Sequence, residues 1–230
     1  MERMQAKNGR WYRDGDVWLP SVTTILSVYP KGYQFERWLG ESNSYDDAIA
    51  KRDAAGERGT LVHDSIASLI EGQTVELPED ADPKCAKLIQ GFINWWQEFK
   101  KYDLSVIANE TFLVGPGYAG TADLICEVGR ETWLIDYKTS AGVYTNYHLQ
   151  TAAYAQAAEE TGGIPVTRRG VLWLKTGTKK GYQLVESDHT FRDDYSVFLA
   201  CKEIYHREHG YEPVPFKEKD TNLVFTLEDR

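Results

Sequence analysis

Gly120-Thr121-Ala122-Asp123-Leu124 and, one hairpin further on, Ile135-Asp136-Tyr137-Lys138-Thr139 decide how the rest of this chain is read. Both sit in runs of β character, residues 119–127 and 131–137, and Gly129-Arg130 between them is short enough for a hairpin turn. Antiparallel neighbours lie about 5 Å apart, so the spacing predicts that Asp123 and Asp136 can share a ligand. Apolar residues surround both acids, which places them at the margin of a core. An ionised carboxylate away from water is costly unless it is paired, and a hard divalent cation with a preference for oxygen ligands is one such partner. Lys138 follows Asp136 by two positions and projects from the same strand face. The Tyr137 ring points to the opposite face, and its carbonyl is a further oxygen donor.

Working outward, residues 105–114 form a third strand, set off by Gly115-Pro116-Gly117. Residues 84–102 read as a helix with Leu88, Phe92, Trp95, Trp96 and Phe99 at helical spacing, a core stripe rather than a ligand box. Residues 58–71 form another helix, and the polar stretch 72–83, with Pro78 and Pro83, is a loop. Residues 145–160 are an Ala-rich helix, 169–175 and 182–186 are strands, and 191–209 is a final long helix. Before the core, residues 10–19 read as a hairpin turning at Asp14-Gly15, and Pro20-Ser21 opens a short helical segment. Residues 33–41 form a short helix with Trp38 and Leu39 inward. Residues 46–57 form a charged helix that Gly56 interrupts. The tail from Gly210 is weakly patterned. The order helix, three strands, helix, strand implies an α/β fold, a central mixed sheet flanked by helices. It is read as one domain: an N-terminal hairpin and helical wall (1–57), a core (58–190), and a C-terminal helix and tail (191–230).

The chain has 230 residues, enough for one domain with a substantial core. Its net charge of −9 argues against a protein that coats nucleic acid through bulk basicity. It leaves room for one that meets phosphates through bound cations. Basic clusters occur at Lys100-Lys101, Arg168-Arg169, and Lys175 with Lys179-Lys180. Each reads as either solvated surface or phosphate contact. Three cysteines without a CxxC exclude a disulfide framework and a Cys₄ cluster, and reduced thiols suit an intracellular, cytoplasmic setting. The polar start has no signal-peptide core, and no run is long and apolar enough for a membrane span.

Taken singly, each candidate residue has a plain structural reading. Asp136 and Lys138 alone make a surface ion pair, His63 a helix-surface histidine, and Glu110 an exposed strand acid. Gln150 and Tyr154, four apart, share one helix face. Together they carry more. GTADL, a strand, then IDYKT resembles the core of the PD-(D/E)XK nuclease superfamily, with Asp123 and Asp136 as its acids and Lys138 as its lysine. Arg58-Gly59-Thr60-Leu61-Val62-His63 looks like the RGTxxH motif of the RecB-type exonuclease branch, and Gln150 with Tyr154 resembles that branch's QxxxY helix. The stretch Leu19 to Leu26 is similar to the entry of mitochondrial genome maintenance exonucleases and their phage relatives.

The resemblance implies a Mg²⁺- or Mn²⁺-dependent deoxyribonuclease that leaves a 5′-phosphate and a 3′-hydroxyl. His63, Asp123 and Asp136 would be metal ligands beside the Tyr137 carbonyl, with Glu110 in an outer position. Lys138 would serve the attacking water, and Gln150 and Tyr154 would position Lys138 or contact a phosphate. The implied setting is replication, recombination or repair, with DNA, single-stranded or at ends, as substrate, a helicase or recombination protein as partner, and no membrane association. In the helical wall before His63, Tyr33, Trp38 or Tyr45 would stack on bases while Lys31 and Arg37 met phosphates. Many RecB-type nucleases carry an iron–sulfur cluster; the three cysteines here predict none. An endonuclease on the same core, and a non-catalytic nucleic-acid-binding module that keeps the fold, are the rival readings.

Overall fold

The computed structural model describes residues 2–42 and 44–216, without the side chains of Gln34, Glu36 and Leu39. The expected inward placement of Leu39 and most of the tail after Gly210 therefore lie outside the described residues. The chain opens with three short strands, β1 (Arg3–Ala6), β2 (Gly9–Asp14) and β3 (Val17–Pro20), paired antiparallel in that order. The β2–β3 hairpin turns at Gly15, as its sequence predicts. β1 was not foreseen, because four polar-leaning residues carry no readable alternation, yet it pairs along its length with β2. Ser21 caps the next helix, α1 (Val22–Ile25), by accepting from the Thr24 amide.

Two helices follow, α2 (Gly32–Glu41) and α3 (Tyr45–Ile70). The expected break at Gly56 does not occur: α3 runs unbroken for 26 residues. An isolated glycine costs a helix only about 1 kcal/mol relative to alanine. Ser44 supports the start by accepting from the Asp47 amide, and Asp46 and Asp47 suit the positive end of the helix dipole. Trp38, expected inward, lies on the surface with its ring 5.6 Å from Phe35. α4 (Lys84–Phe99) ends three residues earlier than its aromatic spacing suggests, passing into a 3₁₀ turn before Asp103 takes a left-handed conformation.

The core is a five-stranded mixed sheet in the order β4 (Ser105–Gly115), β5 (Tyr118–Val128), β6 (Glu131–Lys138), β7 (Arg168–Leu174) and β8 (Tyr182–Val185). All pairings are antiparallel except β6–β7, which the crossover helix α5 (Thr145–Gly162) connects in parallel. A last helix, α6 (Phe191–His209), opens with a capping box between Thr190 and Asp193. An isolated bridge from Ser21 to Ala119 ties the small sheet's exit to the start of β5.

Each face of the large sheet closes its own apolar layer. Val62, Ile66, Phe92 and Trp95 of α3 and α4 pack on Leu124, Cys126, Ile135 and Leu172. On the other face α1, α5 and α6 pack Ile25, Leu149, Ala153 and Phe198 against Ile125 and Leu134. This is the α/β arrangement the element order implied. Cys85 and Cys126 lie in the first layer and Cys201 in the second. α4 reaches the β7–β8 connection closely because Gly91 has no side chain: a Cβ there would stand 2.2 Å from the Gly181 carbonyl oxygen. Among the described residues no helix is long and apolar enough to cross a membrane.

Candidate metal centre

Regular β5–β6 pairing runs to Leu124–Ile135. One step further the strands place Asp123 across from Asp136. There a side chain replaces the backbone acceptor: Asp123 Oδ2 accepts from the Tyr137 amide at 2.6 Å. The carboxylate is thereby fixed in orientation at the point where the two strands part. Its other oxygen, Oδ1, stands 3.4 Å from Nδ1 of His63, which α3 delivers from the sheet's other side. The His63 ring rests edge-on against the buried Tyr137 ring, at 5.6 Å between centroids.

Asp136 is almost fully buried and held from two directions. Gln150 Nε2 of α5 donates to Oδ1 at 2.9 Å, and the Lys138 ammonium lies 2.6 Å from Oδ2. That second contact is an ion pair without hydrogen-bond alignment, so Oδ2 has no hydrogen-bond partner among the described residues. Gln150 also donates to the Tyr154 hydroxyl at 3.3 Å. Tyr154 fits because position 120 is glycine: a Cβ there would meet Tyr154 Cε1 at 2.6 Å. The first residue of the GTADL run therefore makes room for the helix residue that braces the second acid.

Glu110 reaches the same place by a distorted route. Pairing on either side, Asn109–Leu124 and Thr111–Ala122, sets it opposite Asp123. Its φ is 45°, a left-handed conformation that non-glycine residues seldom hold within a strand. One ligand atom each from His63, Glu110 and Asp123 lie within 4.8 Å of one another. Sequence reasoning put Glu110 in an outer position; the structure brings it into the same cluster as His63 and Asp123, while Asp136 faces Lys138 and Gln150. Tyr147 was not singled out, though the Lys138 ammonium sits 4.8 Å from its ring centre. The i, i+3, i+7 spacing of Tyr147, Gln150 and Tyr154 was the available signal.

The charges are strongly coupled. Burial opposes protonation of His63, but the neighbouring Asp123 overrides it and raises the imidazole to about 8. Burial likewise opposes ionisation of Asp123, yet His63, Lys138 and the Tyr137 amide together hold its carboxyl below the ordinary value. Asp136 goes the other way: burial and the Asp123 charge raise it to about 6 despite Lys138. For Lys138 the burial penalty is overcome by the two aspartates, which keep it protonated above the usual lysine range. Glu110 is pushed up to about 7 by desolvation and then by Asp123. Much of its surface remains open to water, which tempers that effect.

This donor set fits a divalent cation: a borderline imidazole and two carboxylates offer ligand atoms within 4.8 Å of one another. Of the basic clusters seen in the sequence, Arg168 is tied to Glu131 and Glu186 and Arg169 to Asp194. Tyr33, Tyr45 and Trp38 are exposed on α2 and at the start of α3.

Comparison with known proteins agrees with the site. The family model of the PD-(D/E)XK nuclease superfamily matches residues 30–216, and the chain belongs to that superfamily. Membership implies a nuclease that works with divalent metal. No curated protein matches the chain. Among solved structures, a candidate exonuclease from Eubacterium rectale is 11% identical over 75% of this chain and 77% of its own, with a TM-score of 0.45, a likeness too distant to carry an inference.

Proposed function

We propose that this chain is a metal-dependent DNA exonuclease of the RecB-type branch. It hydrolyses phosphodiester bonds at strand ends or in single strands during replication, recombination or repair. The observation that carries the reading is the meeting of His63 with Asp123 at 3.4 Å, beside a Lys138–Asp136 pair at 2.6 Å. Four elements, α3, the two strands of the β5–β6 hairpin and α5, each contribute a polar group to one partly buried place. A bare structural core has no reason to gather them, since each costs desolvation.

His63, Asp123 and Asp136, with the Tyr137 carbonyl, would hold Mg²⁺ or Mn²⁺, and Glu110 stands beside them. A divalent ion bound there supplies Lewis acidity toward water and phosphate. The remaining work falls to the protein. Lys138 orients the attacking water and opposes the charge that grows on the phosphoryl oxygens. Gln150 keeps Asp136 facing the centre and is itself steadied by Tyr154. The products are a 5′-phosphate and a 3′-hydroxyl. A helicase or recombination protein of the cytoplasm would supply the ends.

The deciding assay uses end-labelled linear and covalently closed circular DNA, single- and double-stranded, with Mg²⁺, Mn²⁺ or EDTA. The expected result is metal-dependent loss of linear DNA from its ends with closed circles intact. Discrete internal cuts would make it an endonuclease. Binding without any cleavage would make it a non-catalytic module.

A further inference from the structure

A cleft of about 410 Å³ opens where β6 ends and the chain passes through Thr139, Ser140 and Ala141. Thr139 and Ser140, the residues that follow Lys138, form one wall, and Arg58, one and a half helical turns before His63 on α3, forms another. Lys84 at the start of α4 and Lys175 at the end of β7 complete the rim, with Thr176 and Thr178 beyond. The protein carries 35 acidic and 26 basic residues, yet the described lining contains three cations, four hydroxyls and no carboxylate. Arg58 is engaged by Asp82 at 2.8 Å, while Lys84 is exposed and its backbone amide donates to the same carboxylate at 2.9 Å. In the floor Trp173 Nε1 donates to the Ser140 carbonyl at 2.9 Å, and the Lys175 ammonium lies 4.6 Å from the Trp173 ring centre and donates to Gln183 Oε1 at 3.0 Å, which leaves it further protons for a phosphate. The volume falls within the roughly 300–1,000 Å³ of small-ligand sites and suits one nucleotide. A second cleft, of about 450 Å³, shares Lys175 and Thr178; there Lys180 is paired with Glu98 at 3.2 Å.

We propose that this cleft is the binding track for the nucleic-acid strand next to the bond being cut, with Lys84 and Lys175 meeting successive phosphates and the hydroxyls accepting or donating to their oxygens. The inference rests on the nuclease reading and adds where the strand runs: over α4's start and the end of β7, away from the exposed face of α2. Within a net-negative surface, two lysines and an arginine at a gap in the acids concentrate phosphate where the chemistry stands. Recognition is of backbone charge, so it carries no base preference.

The test compares wild type with Lys84→Ala, Lys175→Ala and the double variant. Lys7→Ala, in the β1–β2 turn, serves as the control. Binding of a fluorescein-labelled oligothymidylate is measured by anisotropy in EDTA across a salt series, beside Mn²⁺ titration calorimetry and thermal melts. The double variant should bind the strand about tenfold more weakly, with its log–log salt slope shallower by about 1.4 for two lost phosphate contacts. Mn²⁺ affinity, melting and the Lys7→Ala variant should stay at wild-type values. Thymidine monophosphate and inorganic phosphate should compete only weakly; competition as tight as the strand's own binding would mean a mononucleotide site and overturn the track. If wild type cuts DNA while the double variant binds it with unchanged affinity and slope, the track is wrong and the nuclease reading stands. If wild type neither binds nor cuts, the reading beneath fails and the track with it.

Discussion

The Lys138 ammonium and Asp136 Oδ2 stand 2.6 Å apart, the carboxylate buried and the lysine partly exposed, and the lysine thereby occupies the one carboxylate oxygen of Asp136 that Gln150 leaves open. On the proposed reading the cation that serves the chemistry is also the one that neutralises a prospective ligand. Removing it should separate the two roles. Lys138→Ala is expected to lower cleavage by at least about 100-fold, in line with loss of an acid–base or charge-stabilising group. Mn²⁺ should still bind, which calorimetry on the same preparation would register. Cleavage at the wild-type rate would exclude Lys138 from the reaction.

On the proposed reading Gln150 works through Asp136, to which it donates at 2.9 Å. Gln150→Ala should reduce metal affinity or activity by about 10- to 100-fold, the usual range for a residue that orients a ligand. Gln150→Glu should be worse, because it sets a second carboxylate against an acid already raised to about 6. Parallel Mn²⁺ titrations and initial rates of the two variants give the ranking, and equal rates in all three proteins would contradict it.

The pH behaviour follows from His63 at about 8 and Glu110 at about 7. Both folded-state values lie above the ordinary ones, so the native metal-free protein holds protons that the unfolded chain has released. His63 contributes stability fully below about 6.5, and that contribution is lost as pH rises through 8. Glu110 loses stability for the fold between about 4.5 and 7 in the same direction. These two groups should make the metal-free protein less stable from pH 5 to 8.5. Mn²⁺ should bind more tightly over that interval, releasing protons as it does. Urea titrations with and without metal, and calorimetry in buffers of different ionisation heat, would show both trends; metal affinity independent of pH would contradict the second.

Gly120→Ala tests the brace behind the site. The added Cβ would stand 2.6 Å from the Tyr154 ring, so the helix residue must move or the strand must bend. Overpacking of this kind costs about 1–3 kcal/mol. A lowered melting temperature with a disproportionate loss of activity is expected, since Tyr154 steadies Gln150. Tyr154→Phe combined with Gly120→Ala should recover none of the stability, because the clash is with the ring carbon.

Much of this was legible before the fold was known. The three central strands and the final helix fall almost where alternation and periodicity set them, because each has a clean apolar face and glycine or proline at its margins. His63, Asp123, Asp136, Lys138, Gln150 and Tyr154 were named from motif spacing, and the fold brings them within reach of one another. Three features were not legible. The unbroken α3 escapes a residue-by-residue reading, since Gly56 weighs more locally than in a helix already capped and packed. β1 is too short to show a period. The position of Glu110 depends on a backbone dihedral, which no side-chain pattern reports. Trp38 shows the converse failure: a large aromatic at an inward-looking position stays partly exposed, its ring 5.6 Å from that of Phe35.

The left-handed turn of the chain at Glu110 sets endurance against purpose at one residue. Glycine adopts that dihedral freely, so replacing Glu110 with glycine would relieve both the twist and the crowding of like charges. Breeding this protein for heat tolerance alone should therefore drift toward glycine at position 110, and discard the carboxylate that stands beside His63 and Asp123.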